Sequence, residues 1–325
     1  NEASFNTLNK KEPSIKSDQI IDPFNGLYDL QQQVLRHVTD AFREDPVRIL
    51  RIARFSAQFP NFSIAAETKN LLKEMVEAGE IHSLVCERVW QEIARGLMQP
   101  QPSRMFEVLR ECGALKQLMP EVDALWGVPQ AAKHHPEIDC GTHTMMALDY
   151  AAKSNFVLAV RYAVLCHDLG KAQTPPESLP HHPQHEGRSA LLATTLSNRL
   201  KAPTLCRELA VLFSKEHGAI HASQAFNATQ LLQLFQRCDA LRNPNRFTLL
   251  LEAGLCDARG RLQFELCAYP QLERLSTALT LIRSIPTSKL ASEAAAKGLS
   301  GKAVGTYIDE ARLALLSQAI ESTLK

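Results

Sequence analysis

The fold of this chain follows from the stretch Cys166-His167-Asp168-Leu169-Gly170-Lys171, which stands at the end of an apolar helix. Apolar residues recur at the i, i+3 and i+4 positions from Val160 onwards, and His167 continues that stripe at i+7. Gly170 predicts the end of the helix. A buried imidazole beside a buried carboxylate is costly unless something binds both groups, as a divalent metal ion does. This motif alone is equally compatible with a core histidine beside a solvated aspartate.

Three further helical stripes carry the same kind of residue. His143 shares a face with apolar residues, His217 ends the apolar stripe of its helix before a glycine, and Asp257 ends a fourth stripe. His185 is an additional candidate, from a loop that enters a helix. Four independent coincidences are improbable in a core that only packs, so we predict a metal site. Its predicted ligands are His143, His167, Asp168, Asp257, His185 and His217.

The predicted ligands are imidazoles and carboxylates without thiolates, a set that suits zinc, manganese, iron, nickel or magnesium. A metal held in this way with open positions activates water and polarises a phosphoryl oxygen. Peptide hydrolysis would instead favour an H-E-x-x-H helix, which the sequence lacks. The pattern therefore favours phosphoester hydrolysis.

The ordered set His143, His167-Asp168 and Asp257 resembles the HD superfamily of metal-dependent phosphohydrolases. His185 and His217 fall where members with a fuller ligand set place extra histidines. The resemblance implies a helical domain, a divalent ion such as Ni²⁺, Mn²⁺ or Mg²⁺, and catalytic roles for His167 and Asp168.

Composition sets outer bounds on the protein. The chain has 325 residues, aromatic residues make up 6% of it, and no alternating β-branched stretch argues for a central sheet. A net charge of +1 means that a polyanion must be bound by local patches. The eight cysteines include no C-x-x-C pair and no apolar run is long enough for a membrane span, so we expect a reduced, cytoplasmic protein without a membrane partner. It could be a monomer or a homodimer.

We expect an all-α, elongated helical array in four segments. Residues 1–26 resemble a connector, residues 27–130 form amphipathic neck and body helices, residues 131–285 form the HD-type domain, and residues 286–325 form a short helical tail. The breakers within the neck and body are Pro60, Gly79, Gln99-Pro100-Gln101-Pro102 and Gly113.

A second motif lies in the neck. Asp45 before Pro46 predicts a helix N-terminus, with Asp45 as the N-cap. Arg48 is three residues further on the same face, and Arg51 is a further turn along. One interpretation is a capped helix with an exposed basic stripe. The other is that Asp45 and Arg48 match the Watson–Crick edge of a base, since one accepts and the other donates hydrogen bonds.

Residues 21–30, 44–55 and 87–92 resemble, in order, the neck motifs of bacterial class II CCA-adding enzymes, and the HD-like helices follow them. The resemblance covers about residues 20–325. It implies that Asp45 and Arg48 form a protein template that selects CTP and then ATP, that Arg51 also contacts the nucleotide, and that tRNA is a partner. It implies a supporting role for Glu87, Arg88 and Glu92.

The sequence departs from that family at its start. It contains no D-x-D pair and no Gly-rich phosphate loop ahead of Asp22. We therefore expect that the nucleotidyltransferase head, with the Mg²⁺ ions for nucleotidyl transfer, is missing from this chain. Without carboxylates to hold those ions, these residues alone do not complete the transfer.

Three interpretations follow for the function. The first is the neck, body and HD portion of a CCA-adding enzyme, for which the resemblance implies phosphatase and 2′,3′-cyclic phosphodiesterase activity on 2′,3′-cyclic and 2′-phosphorylated nucleotides in tRNA 3′-end maturation and repair. The second is a helical tRNA-binding module whose HD site is structural or vestigial. The third, which we favour least, is a bacterial poly(A) polymerase, because such enzymes normally lack the HD set and carry a basic tail.

Overall fold

The computed structural model describes residues 21–133 and 135–323 and confirms the all-α prediction. Within those residues, sixteen α-helices are joined by turns, loops and 3₁₀ segments. The helices are α1 (Gly26–Gln31), α2 (Val47–Gln58), α3 (Ala66–Glu77), α4 (Cys86–Leu97), α5 (Ser103–Glu111), α6 (Ala114–Leu118), α7 (Pro120–Asp123), α8 (Cys140–Lys153), α9 (Leu158–Cys166), α10 (His185–Arg199), α11 (Thr204–Ala222), α12 (Ala228–Arg237), α13 (Pro244–Arg259), α14 (Pro270–Arg283), α15 (Thr287–Ala296) and α16 (Lys302–Thr323). Most of the predicted connector, residues 1–20, lies outside the described residues.

The only strands among the described residues are β1 (Val34–Leu35) and β2 (Ser63–Ile64), which pair in parallel. The first predicted neck motif forms a capped turn before them. Asp22 accepts hydrogen bonds from the backbone N–H groups of Gly26 (2.7 Å) and Leu27 (2.9 Å), so its carboxylate caps α1.

The helices of the neck and body pack on one another through α2. This helix lies against α4 and α5, and a partly buried ion pair joins it to α4, where Arg54 Nε donates to Glu92 Oε2 at 2.7 Å. The helices α2 to α5 end before Pro60, Gly79, the 99–102 segment and Gly113, as the breakers predict.

The second half of the chain is built around α9, α11 and α13, with α8 and α10 packed against them. Its apolar core continues without a break into the core of the body. Trp90 on α4 and Tyr162 on α9 meet edge to face with ring centroids 5.1 Å apart. The four-segment division therefore stays a prediction from sequence, since one core runs through the segments.

The helix that carries the HD motif ends earlier than the sequence predicts. The helix α9 ends at Cys166, His167 occupies its C-cap position, and Gly170 lies inside a 3₁₀ helix over Leu169–Gln173. The tighter 3₁₀ turns redirect the chain immediately after the two polar residues.

Arg161 fastens α9 to the body. Its side chain is buried, and it donates to the carbonyl oxygens of Leu97 (2.7 Å) and Gln99 (3.2 Å) at the end of α4 and of Phe156 (2.8 Å). Leu97 is the last residue of α4 and Gln99 follows it, so the guanidinium acts as a C-terminal cap of α4 that is supplied by another helix.

We predict that Arg161→Ala lowers the free energy of unfolding by about 2–4 kcal/mol, because charged hydrogen bonds are lost and buried carbonyls stay unpaired. Arg161→Lys is expected to recover only part of the loss, since an ammonium cannot reproduce the fork of the guanidinium. Urea denaturation measures both. Arg283 is exposed and serves as the matched control, with a change of less than about 0.5 kcal/mol expected for Arg283→Ala. Equal stability of Arg161→Ala and Arg283→Ala would contradict the prediction.

Candidate metal centre

The predicted metal ligands converge in the core of the second half of the chain. His143 comes from α8, His217 from α11 and Asp257 from α13, while His167 and Asp168 leave the end of α9. His185 is the first residue of α10. All of these side chains except His185 are buried, and His185 is partly buried. The structure therefore brings together all six side chains predicted from sequence.

Three of these residues form a first group. Asp257 Oδ1 lies 2.9 Å from His143 Nε2 and 3.7 Å from His167 Nε2. Asp168 Oδ2 lies 3.2 Å from the same nitrogen of His167. One potential ligand atom from each of His143, His167 and Asp257 lies within 4.8 Å of the others, which is close enough for one small cation.

The remaining residues form a second group around the other oxygen of Asp168. Asp168 Oδ1 lies 3.3 Å from His185 Nε2 and 3.7 Å from His217 Nε2. These three residues also have potential ligand atoms within 4.8 Å of one another. The carboxylate of Asp168 therefore faces the first group with one oxygen and the second group with the other.

The tautomers of the second group follow from backbone contacts. His185 Nδ1 lies 2.8 Å from the carbonyl of His182, and His217 Nδ1 lies 3.0 Å from the carbonyl of Ser214. A carbonyl only accepts, so each Nδ1 carries a proton and each Nε2 of a neutral ring is bare. Yet the two Nε2 atoms face each other at 3.1 Å. Two lone pairs at this distance repel unless a proton or a cation lies between them.

His167 has the same arrangement. Its Nδ1 lies 2.7 Å from the carbonyl of Val164, which leaves Nε2 to face the carboxylates of Asp168 and Asp257. This Nε2 and Asp168 Oδ1 are buried without a hydrogen-bond partner among the described residues. One of these orphaned atoms belongs to each of the two groups, and buried polar atoms without a partner fit the binding of a divalent cation.

The pKa values show the excess of negative charge. Burial lowers the pKa of His167, but the Asp168 and Asp257 carboxylates outweigh it and raise that pKa to about 10. Burial lowers the pKa of His217 to about 3, so this ring is neutral and able to bind a metal. Lys171 Nζ lies 2.7 Å from Asp168 Oδ2 and 2.6 Å from Gln130 Oε1, and it neutralises part of the charge.

Sequence reasoning missed three polar residues at this centre. Glu137 Oε1 lies 3.0 Å from the Nδ1 atoms of both His135 and His143. His221 Nε2 lies 2.7 Å from Asp257 Oδ2. The spacing of His217 and His221, one helical turn apart, was a usable signal. Glu137 lies in a loop before α8, where periodicity gives no information.

The neck residues lie apart from this centre. Arg48 and Arg51 line one cavity of about 280 Å³, together with aromatic residues such as Phe42 and Phe55. Asp45 is not among its lining residues, and its Oδ2 accepts a hydrogen bond from Arg88 at 2.8 Å. The structure thus brings the two arginines together and turns the aspartate toward α4.

The predicted cap of α2 is shifted by one residue. Pro46 occupies the capping position and α2 begins at Val47. Asp45 Oδ1 still accepts a hydrogen bond from the Val47 N–H at 3.1 Å. The carboxylate therefore stabilises the first turn from one residue further out than predicted.

Comparisons with known proteins identify the family. The chain is 57% identical over 294 residues to the multifunctional CCA protein of Paracidovorax citrulli, covering 90% of this chain and 70% of that protein. It is 55% identical to the multifunctional CCA protein of Verminephrobacter eiseniae, covering 93% of this chain and 73% of that one. The chain belongs to the multifunctional CCA protein family.

Other comparisons concern one segment of the chain and its fold. The family described as "Probable RNA and SrmB- binding site of polymerase A" matches residues 61–125. The fold is similar to that of a Thermotoga maritima CCA-adding enzyme complexed with tRNA, with 18% identity, a TM-score of 0.54, and coverage of 94% of this chain and 68% of that one. A CCA-adding enzyme in complex with CTP gives 19% identity, a TM-score of 0.53, and coverage of 91% and 62%.

Membership in the multifunctional CCA protein family is therefore the basis for interpreting the candidate metal centre and the neck. Within the part of the chain that the structure describes, none of the helices combines the length and hydropathy needed to cross a bilayer. The expectation that residues 131–285 form an HD-type unit stays a prediction.

Gly170 allows the backbone of α10, which carries His185, to approach the candidate metal centre closely. A Cβ atom at this position would lie 2.4 Å from the carbonyl oxygen of His185 and 2.5 Å from the backbone nitrogen of Ser189. We predict that Gly170→Ala costs about 1–3 kcal/mol of stability, because α10 must move, and that it lowers metal content by displacing His185. Thermal unfolding and metal analysis measure the two effects.

Gly187, also on α10, is the matched control. A Cβ atom there would meet nothing within 4 Å. Gly187→Ala is expected to be neutral or to stabilise the protein by up to about 1 kcal/mol, since alanine is the better helix former. A destabilisation equal to that of Gly170→Ala would show that the close approach of α10 is not the cause.

Proposed function

We propose that this chain serves in CCA addition to tRNA, with its neck selecting CTP and then ATP and its helical body binding tRNA. The proposal is supported by membership in the multifunctional CCA protein family and by the RNA-binding family match within the body. Structural neighbours include CCA-adding enzymes in complex with CTP, with ATP and with tRNA. The cavity lined by Arg48 and Arg51 offers cationic donors beside aromatic rings, which suits a nucleotide.

We further propose that the metal centre is a phosphohydrolase site that acts on 2′,3′-cyclic and 2′-phosphorylated nucleotides at tRNA 3′ ends. The observation that carries this proposal is the pair of facing Nε2 atoms of His185 and His217 beside Asp168. In a purely structural core, burying two bare imidazole nitrogens against each other would cost free energy without any compensating contact. In a vestigial site without an ion, a proton shared between the two rings would have to take the place of the cation.

The residues present would hold a divalent ion such as Ni²⁺, Mn²⁺ or Mg²⁺. His143, His167 and Asp257 would bind it together with Asp168, and His185 and His217 would complete or extend the site from the other oxygen of Asp168. When bound, such an ion would neutralise charge that develops on a phosphoryl group and activate water as a nucleophile.

The protein's own residues supply orientation and charge balance. Lys171, held by Gln130, fixes Asp168 Oδ2 and prevents its carboxylate from rotating. The rings of His185 and His221 are partly exposed, whereas those of His143 and His167 are fully buried. A phosphate group is therefore expected to approach from the side of His185 and His221, while the apolar core excludes water from the opposite side.

We predict that Asp168→Asn abolishes hydrolysis of 2′,3′-cyclic nucleotides by the metal-loaded protein and lowers metal affinity by more than about 100-fold, because this carboxylate serves both ligand groups. Phosphate release and atomic absorption measure the two effects. Glu310 on α16 is exposed, and Glu310→Gln is the matched control, with neither property changed. Hydrolysis that survives Asp168→Asn, or an unaltered protein that hydrolyses no phosphoester with any of the three metals, would contradict the proposal.

We predict that Arg48→Ala weakens binding of both CTP and ATP by about 1–3 kcal/mol, because a bidentate contact is lost. Asp45→Ala is expected to reduce discrimination against GTP and UTP, with a stability cost of about 1 kcal/mol from the lost contact with the α2 N-terminus. Equilibrium titrations with each nucleotide provide the measurement. Arg43, which pairs with Glu74 on the surface, is the control, and Arg43→Ala is expected to bind nucleotides normally. Unchanged affinities in Arg48→Ala would favour the basic-stripe interpretation.

A further inference from the structure

The helix α11 presents two histidines, His217 and His221, to the metal centre from successive turns. By spacing alone, both are candidates for metal ligands. Their hydrogen bonds distinguish them. His217 directs Nδ1 to the carbonyls of Phe213 (3.2 Å) and Ser214 (3.0 Å), so that its bare Nε2 points into the second ligand group.

His221 has the opposite tautomer. Its Nε2 lies 2.7 Å from Asp257 Oδ2, and an ionised carboxylate only accepts, so this nitrogen carries the proton. In the neutral ring Nδ1 is then bare, and it lies 3.1 Å from the hydroxyl of Tyr269, which donates to it. The chain of donors runs from Tyr269 through His221 to Asp257, and no nitrogen of His221 is left for a cation.

The surrounding residues hold the Tyr269–His221–Asp257 hydrogen-bond chain in place. Gln271 Nε2 donates to the carbonyl of His221 at 2.9 Å, which anchors the backbone beside the ring. A Cβ atom at Gly254 would lie 2.6 Å from the Tyr269 hydroxyl, so only glycine leaves room for that hydroxyl one turn before Asp257. The carboxylate of Asp257 is thus held by His221 at Oδ2 while Oδ1 faces His143 and His167.

We propose that His221, with its tautomer fixed by Tyr269, is a positioning residue that orients Asp257 for metal binding and is not itself a ligand. This inference rests on the proposed phosphohydrolase function, because it requires that the centre hold a divalent ion. Outer-shell donors of this kind commonly change metal affinity by 10- to 100-fold.

The test measures Co²⁺ affinity and stoichiometry in the full chain by titration of the visible absorption bands. His221→Leu removes the donor and is expected to weaken Co²⁺ binding by about 10- to 100-fold without reducing the stoichiometry at saturation. His221→Gln keeps an N–H near Asp257 Oδ2 and is expected to restore the affinity to within a few-fold. Tyr269→Phe keeps the ring and is expected to weaken binding by a smaller factor than His221→Leu.

His217→Gln is the matched comparison on the same helix. It removes a proposed ligand, so the saturating absorption spectrum is expected to change, and a Gln amide is not expected to restore it. If His221→Gln changes the spectrum as His217→Gln does, His221 is a ligand and the inference is wrong. If His221→Leu binds Co²⁺ as the unaltered protein does, the inference is also wrong, while the proposed function stands. An unaltered protein that binds no Co²⁺ would overturn both.

A second measurement is independent of metal affinity and of activity. Long-range ¹H–¹⁵N correlation spectra of the ¹⁵N-histidine-labelled, Zn²⁺-loaded protein report the tautomer of each ring. The expected result is an Nε2–H tautomer for His221 and an Nδ1–H tautomer for His217, with the His221 signal altered by Tyr269→Phe. An Nδ1–H tautomer at His221 would overturn the inference even if the variants lose affinity through partial unfolding.

Discussion

The constraint on which this structure depends is the burial of imidazole and carboxylate groups at one point inside an apolar core. Asp168 is almost fully buried, with His167 against one of its oxygens and the facing Nε2 atoms of His185 and His217 near the other. Burial without compensation would cost several kcal/mol for each charged group. The compensation is divided between Lys171, backbone carbonyls that fix the imidazole tautomers, and the divalent ion that we propose.

Close packing around α9 makes this convergence possible. The chain turns into a 3₁₀ helix immediately after Asp168, and Gly170 lets the start of α10 approach until no Cβ fits between them. The helix α9 is also held against the end of α4, because Arg161 on α9 donates to the carbonyl oxygen of Leu97. The helix α4 also carries Arg88, which binds Asp45. The candidate metal centre and the neck are therefore connected through one continuous set of packed helices.

The histidine tautomers distinguish the roles that we propose for the individual rings of this centre. His167, His185 and His217 each give Nδ1–H to a backbone carbonyl and direct Nε2 inward, whereas His221 gives Nε2–H to Asp257. The proposed ligand His217 and the proposed positioning residue His221 are the same residue type and lie one turn apart on the same helix. In our proposal the acceptor that faces each ring separates the two roles, and in the case of His221 that acceptor comes from a different part of the chain.

The sequence by itself determined the all-α fold, the breakers between the neck helices and the six polar residues that meet in the core, because an apolar stripe with a helical period records which face of a helix is buried. The sequence did not identify Glu137, which lies in a loop without periodicity, and it did not indicate the role of His221. Only the tertiary structure decided that α9 ends at Cys166, that Asp45 pairs with Arg88, and that Asp168 stands between two ligand groups. These features depend on contacts between residues distant in the chain, and local periodicity records the buried face of each helix but not the atom that lies opposite it.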